Sequence, residues 1–97
     1  MCNTKECIAI LQQNMPRIQQ EFGVTALSVF GSVARGDNRP DSDVDILVDM
    51  PPKIFIMSAC KDFLESILNT TVDLVRRHSH MSQQFLTQIS RDAITIF

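Results

Sequence analysis

Residues 26–49 read ALSVFGSVARGDNRPDSDVDILVD, and this stretch decides the fold because two strand-like segments flank a turn. The apolar segment 27–30 has the composition of a short strand, which Gly31-Ser32 would end. In segment 43–49, apolar residues alternate with mostly acidic ones at the two-residue period of a strand. The first strand is therefore expected to lead into a glycine turn, and the second to present a polar face.

Helix-like segments lie on both sides of this stretch. Apolar residues recur every three or four positions in 4–21 and in 55–68, where Phe55 is the first residue of the apolar stripe, and a last helix is expected at 82–91. Thr4 is a candidate cap for the first helix, and Pro16 is expected to kink or split it. Two further strands are expected at 71–75 and 93–97. Strands that alternate with helices predict an α/β fold, with a small mixed β-sheet of three to four strands and helices packed on it.

Length and composition limit the class of protein. A chain of 97 residues fits one domain, 1–97, and buries too little surface for a large internal cavity, so we expect an open cleft. Hydrophobic residues make up 44% and charged residues 21%, which is typical of a folded globular domain. The net charge of -2 gives no general attraction to nucleic acid or to an anionic membrane. We therefore expect no direct DNA binding and no membrane association.

Location and redox state follow from the same composition. No apolar run approaches the roughly 20 residues that span a bilayer, and the first residues lack a signal-peptide pattern. A cytoplasmic location is expected. The three cysteines, Cys2, Cys7 and Cys60, match no common zinc or thioredoxin spacing, so free, reduced thiols are expected.

The turn after the first strand is the first candidate binding element. Where a strand turns into a helix, unpaired backbone amides point outward and attract a phosphate. Gly31 would let a ligand approach the backbone, and the Ser32 hydroxyl would donate a hydrogen bond to a phosphate oxygen. For this pair taken alone, an ordinary turn with a helix cap is the alternative.

Asp43 and Asp45 form the second candidate element. Residues two apart on a strand project from the same face, so these carboxylates converge. Like charges on one face repel, and a divalent cation such as Mg²⁺ would compensate them. The alternative is a solvated polar face.

Asp73 lies centrally in the apolar segment 71–75. If this strand lies beside the second strand, three carboxylates would hold two metal ions. Two such ions activate the attacking oxygen and neutralise the charge on the phosphate and the leaving group in an in-line displacement. This is the chemistry of phosphoryl-type transfer. The alternative for Asp73 is an outward-facing residue of an edge strand.

Together these elements carry a family resemblance. Phe30-Gly31-Ser32, ten intervening positions, Asp43-Val44-Asp45-Ile46 and the later Asp73 resemble the signature of the nucleotidyltransferase superfamily related to polymerase beta. The runs 30–37 and 41–48, and the closing run 91–97, are similar to its minimal branch, although segment 68–71 lacks the glycine expected in relatives. The resemblance implies the polymerase-beta-like fold, and it implies a set of site residues: Gly31 and Ser32 for the nucleotide, Asp43 and Asp45 as metal ligands and catalytic residues, and Asp73 as a third ligand or base.

The same resemblance implies a biological role. Members of the minimal branch are commonly antitoxins encoded beside a HEPN-domain ribonuclease toxin, and they transfer AMP from ATP to a toxin tyrosine. It follows that this chain would use ATP with Mg²⁺ or Mn²⁺ and form a hetero-oligomer with a HEPN partner. Two alternatives stay open. One is a catalytically idle module that neutralises the toxin by contact alone, and the other is transfer to a small molecule such as an aminoglycoside.

The remaining charged residues are ambiguous. Arg35 and Arg39 flank the turn, and Arg35 is included among the nucleotide-binding residues as a phosphate contact, although exposed arginines are usually only solvated. The others are assigned to turns, loops or strand ends, namely Asp41, Ser42, Arg76, Arg77, His78 and His80.

Overall fold

The structure is a computed structural model, and it describes residues 3–37, 43–77 and 81–97. In these ranges the chain forms five helices and four strands in a mixed order. They are α1 (Thr4–Gln13), α2 (Met15–Phe22), β1 (Ala26–Phe30), α3 (Gly31–Arg35), β2 (Val44–Asp49), α4 (Ile54–Leu68), β3 (Val72–Arg76), α5 (Gln83–Asp92) and β4 (Ile94–Thr95).

The first predicted helix is split into α1 and α2 at Asn14, as Pro16 suggested. Pro16 lies in the first turn of α2, where a missing backbone N–H disrupts no helical hydrogen bond. The prediction that Thr4 caps α1 is wrong, because Asn3 caps this helix. The Oδ1 atom of Asn3 accepts a hydrogen bond from the backbone N–H of Glu6 at 2.8 Å. Thr4 is instead the first helical residue, and its hydroxyl donates to the backbone carbonyl of Val33 in α3.

The four strands form one mixed sheet in the order β3-β2-β1-β4, which confirms the predicted sheet. β1 runs antiparallel to β2 and to β4, whereas β2 and β3 are parallel. A parallel pair needs a crossover connection, and α4 provides it between β2 and β3. The sheet therefore consists of a βαβ unit, β2-α4-β3, extended by the antiparallel strands β1 and β4.

Alternate residues of the strands divide the sheet into two faces. The covered face is buried against α1, α2 and α4, and its strand positions are Leu27, Val29, Val44, Ile46, Val48 and Val72. The carboxylate face is the opposite one, and its positions by strand register are Ser28, Phe30, Asp45, Leu47, Asp73 and Val75. Most of the hydrophobic core lies on the covered face.

Helix α4 packs through Cys60, Leu64 and Leu68, which are spaced by four. Phe55 was predicted to share the apolar stripe of this helix, but it is 88% exposed. It lies five residues before Cys60, which rotates it about 140° away from the buried stripe. Asn69 ends α4 in a left-handed conformation with φ 55°, within the segment 68–71 in which a glycine was expected. None of the described helices combines the length and the apolar character needed to cross a membrane.

The cysteines differ from one another. Cys60 is a free thiol, as expected, and burial raises its pKa to about 11. Cys7 is fully buried in α1 and is disulfide-bonded, so the expectation of a free thiol is wrong at this position. An odd number of cysteines excludes complete pairing, but it does not exclude a single bridge. Cys2 lies outside the described residues.

Candidate active site

Two carboxylates meet in one row across the carboxylate face. Asp45 of β2 is the register partner of Phe30 on one side and of Asp73 on the other. Cross-strand partners project from the same face, so Asp45 and Asp73 form what we call the carboxylate pair. The third predicted strand therefore lies beside the second, as the metal hypothesis required. β3 is the edge strand and Asp73 is exposed, but its side chain shares a face with Asp45.

Asp43 lies just before β2 and is exposed. Its charge acts on Asp45 together with the charge of Asp73. Across 3–37, 43–77 and 81–97, no three His, Cys, Asp or Glu side chains form a group arranged to hold a metal ion. Metal binding by Asp43, Asp45 and Asp73 therefore stays a prediction.

The pKa of Asp45 is raised above its ordinary value. Burial of the half-buried carboxyl is the largest cause, and the negative charges of Asp73 and Asp43 come next. The positive charge of Arg35 acts in the opposite direction. A carboxylate that is partly desolvated beside two others is stabilised by a cation, and hard oxygen ligands suit Mg²⁺. The chemistry of these three residues therefore fits a divalent metal ion.

Gly31 brings the turn after β1 against the carboxylate pair. It adopts φ 73°, and a Cβ atom built at this position would lie 2.1 Å from Oδ2 of Asp45. No side chain fits there unless Asp45 moves. Gly31 starts α3, and the half-buried Ser32 follows it, so the turn predicted to bind phosphate begins directly beside Asp45. Their contact with a nucleotide stays a prediction.

Arg35 links α3 to α5 at the border of the site. Its Nε lies 3.2 Å from Oδ2 of Asp37, and its Nη1 lies 3.6 Å from Oδ2 of Asp92. The pKa of Arg35 is raised above its ordinary value, and the hydrogen bond to Asp37 is the largest cause. Exposed ion pairs of this kind contribute little to stability. The two ion pairs therefore add little to the stability of the fold, and the phosphate contact of Arg35 stays a prediction.

A small cavity of about 170 Å³ opens between α3 and α5. One wall consists of Phe30 at the end of β1 and of Gly31 and Arg35 in α3. The α5 wall was not predicted from the sequence, although Phe85 and Ile89 have the spacing of one helix face. That wall is formed by Phe85, Gln88, Ile89 and Asp92.

Of the remaining residues singled out in the sequence, only Arg76 and Arg77 are among the described residues, and they lie at the end of β3. Arg76 ends β3 and is half-buried, and Arg77 follows it in an exposed position. The backbone N–H of Arg77 donates to Val48 at 2.7 Å. The others lie outside the described residues, namely Arg39, Asp41, Ser42, His78 and His80.

Comparisons with known proteins identify the family and the fold. The family described as Nucleotidyltransferase domain matches residues 11–96. The chain is 38% identical over 81 residues to the protein adenylyltransferase MntA of Thermococcus cleftensis, a match that covers 81% of this chain and 82% of the relative. A solved structure described as a minimal nucleotidyltransferase has a TM-score of 0.77 at 28% identity and covers 97% of this chain and 96% of its own.

A further solved structure shares the fold at lower identity. It is that of the tri-AMPylated Shewanella oneidensis HEPN toxin in complex with an MNT antitoxin. The match has a TM-score of 0.64 at 18% identity and covers 93% of this chain and 71% of the matched chain. At this identity the likeness concerns the fold alone.

Proposed function

The chain belongs to the nucleotidyltransferase domain family, and from this membership we propose that it is a metal-dependent protein adenylyltransferase acting as an antitoxin. It transfers AMP from ATP to a tyrosine of a HEPN ribonuclease toxin. The observation that carries the proposal is that Asp45, the register partner of Asp73, lies directly beside Gly31. The name of the Thermococcus relative and the HEPN complex of the Shewanella protein support the choice of reaction and partner.

Each site residue has a role in this proposal. The amides of the turn at Gly31 and the hydroxyl of Ser32 bind ATP phosphates, and Arg35 exchanges Asp37 and Asp92 for a phosphate oxygen. Asp43, Asp45 and Asp73 would hold the metal, Mg²⁺ as two ions or Mn²⁺ in its place. When bound, the metal supplies positive charge that offsets the charge of the phosphates and the leaving group.

The transfer step follows from the placement of these groups. The phenol oxygen of the acceptor forms a bond to the α-phosphorus of ATP, and the bond between that phosphorus and the departing pyrophosphate breaks. The phenol proton passes to a carboxylate acting as base. Asp73 takes this role because it lies on the edge strand, where an acceptor from another molecule has access. Pyrophosphate leaves on the side of the phosphate turn.

The acceptor comes from another chain. This sequence contains no tyrosine, so a tyrosine-directed transfer cannot modify the chain itself. Asp73 is exposed, and nothing in the described part of the chain fixes an acceptor hydroxyl beside it. Docking of the partner would position that oxygen, and positioning of this kind contributes several kcal/mol to lowering a reaction barrier. Transfer should therefore be negligible without the partner.

The test follows the label from ATP. The protein is incubated with labelled ATP and Mg²⁺, alone and with its co-encoded HEPN neighbour, and both chains are examined by mass spectrometry. We expect AMP on a tyrosine of the neighbour only, and no transfer by Asp45→Asn or in the presence of a metal chelator. Asp62→Asn, an exposed change on α4, is the matched control and should transfer AMP like the unmodified protein.

Two results would overturn the proposal. The first is label on this chain, because the acceptor would then not be a partner tyrosine. The second is a neighbour that loses ribonuclease activity without carrying an adduct. That result would favour the idle module, which neutralises its toxin by contact alone.

A further inference from the structure

The cavity between α3 and α5 shares a wall with the carboxylate pair. Phe30 lines the cavity and is also the register partner of Asp45. Gly31 lines it as well, and a Cβ atom on Gly31 would collide with Asp45. A molecule bound at the phosphate turn therefore has direct access to this cavity.

The walls of the cavity are mainly apolar. Phe30 and Phe85 contribute aromatic rings from β1 and α5, and Ile89 contributes an aliphatic side chain. A planar ring gains contact area and stacking against these groups. Arg35 also lines the cavity at its border, and it is the group there that suits a phosphate. Phe85 is 37% exposed, so part of this ring remains available to a ligand.

The volume of the cavity and the polar group in its wall indicate which kind of ligand it can bind. Pockets that enclose a drug-sized ligand measure roughly 300–1,000 Å³, and this cavity measures about 170 Å³. It is too small for a whole nucleotide and suits one heterocyclic ring system. The exposed amide of Gln88 also lines it and offers both donors and an acceptor to the edge of such a ring.

Strand order distinguishes the nucleotide from the acceptor. Asp73 lies on β3, Asp45 on β2 and Phe30 on β1, so the cavity and Asp73 lie on opposite sides of Asp45. In an in-line displacement the departing pyrophosphate lies opposite the attacking oxygen, and the ribose that carries the base projects to the side of that line. Because the cavity lies away from Asp73, where the acceptor would enter, a ring in the cavity belongs to the nucleotide bound at Gly31 and not to the acceptor.

We propose that this cavity binds the purine base of ATP, with Phe85 as its stacking surface and Gln88 as the group that reads its edge. The proposal rests on the proposed nucleotide site at Gly31-Ser32. It assigns a binding function to α5, and it separates recognition of the base from recognition of the phosphates.

Calorimetry with two probes tests this separation. ATP and inorganic tripolyphosphate, each with Mg²⁺, are titrated into the unmodified protein and into Phe85→Ala. Loss of one base-stacking ring should weaken ATP binding about tenfold, and it should leave the affinity for tripolyphosphate unchanged. Phe55→Ala, an exposed phenylalanine on α4, is the matched control and should change neither affinity. Thermal unfolding of each variant verifies that the fold is intact.

The two proposals fail in different ways. If neither probe binds the unmodified protein, the nucleotide site at Gly31-Ser32 is wrong. If both probes bind but Phe85→Ala leaves ATP affinity unchanged, or weakens both probes equally, the base pocket is wrong and the phosphate site remains. Gln88→Ala should shift the ratio of ATP to GTP affinity, and an unchanged ratio would contradict the role assigned to Gln88.

Discussion

The covered face and the carboxylate face are built from alternate residues of the same strands, but they meet different physical demands. On β2, Ile46 is fully buried in the core. Its neighbour Asp45 is half-buried beside two other carboxylates, and its pKa is raised. One face gains free energy from apolar burial, whereas the other holds partly desolvated like charges together. A strand can therefore carry a destabilising arrangement on one side when the other side anchors it.

The largest expected effect tests the covered face. Ile46→Ala removes a fully buried side chain and should lower the free energy of unfolding by about 2–5 kcal/mol. That is a large part of the roughly 5–15 kcal/mol that stabilises a typical domain. Urea denaturation measures the loss. Asp49→Ala, an exposed change on the same strand, should alter stability by less than about 0.5 kcal/mol. Equal losses in the two variants would contradict the division between the faces.

A second substitution tests how closely the phosphate turn and the carboxylate pair are joined. Gly31→Ala should abolish AMP transfer, because its Cβ would occupy the position of Oδ2 of Asp45. Gly23→Ala is the matched control. Gly23 has a similar φ of 68°, but a Cβ there would meet Pro51 at an ordinary 3.4 Å. Each change should cost about 1–2 kcal/mol for a left-handed non-glycine residue. Transfer by Gly31→Ala at the rate of Gly23→Ala would show that the close approach is not needed.

The smallest expected effect concerns the charge of Asp45 in the metal-free protein. Because folding raises the Asp45 pKa, the folded state binds a proton more tightly than the unfolded state. Stability should therefore fall as pH rises from the ordinary carboxyl range through the raised pKa. At neutral pH, Asp45→Asn should melt at a higher temperature than the unmodified protein.

The advantage of Asp45→Asn should shrink as pH falls through that window, which thermal melts across pH would measure. Ser58→Ala, an exposed and uncharged change on α4, should alter the melting temperature equally at every pH. A lower melting temperature for Asp45→Asn than for the unmodified protein at neutral pH would contradict the prediction that the charge of Asp45 destabilises the folded state.

The sequence predicted the parts of the fold that depend on local pattern. The alternation over 43–49 placed Asp45 and Ile46 on opposite faces, and β1, β2 and β3 lie within a residue or so of the expected positions. The partnership of Asp45 with Asp73 was only conditional. Register in a parallel pair depends on how the crossover helix packs, and periodicity contains no information about that.

The missed features depend on tertiary placement. Phe85 and Gln88 were predicted to lie on a helix, but the sequence did not indicate which element that helix faces. Phe55 was predicted to be buried because the helical period can be read from the sequence. The sequence does not show which side of that helix faces the sheet, and Phe55 is exposed. Cys7 was missed as a core residue, since a small side chain near the start of a helix adds little to an apolar pattern.

The edge position of β3 bears on how the molecule loses activity when it is heated. Edge strands and their flanking segments open locally at a lower free energy than the whole domain. β2 is hydrogen-bonded to a strand on each side in the described sheet, whereas β3 is bonded to β2 alone. A brief detachment of β3 would carry Asp73 away from Asp45 while the covered face of β1 and β2 stayed packed. Catalytic inactivation by heat would then be reversible, and it would begin below the temperature of global melting.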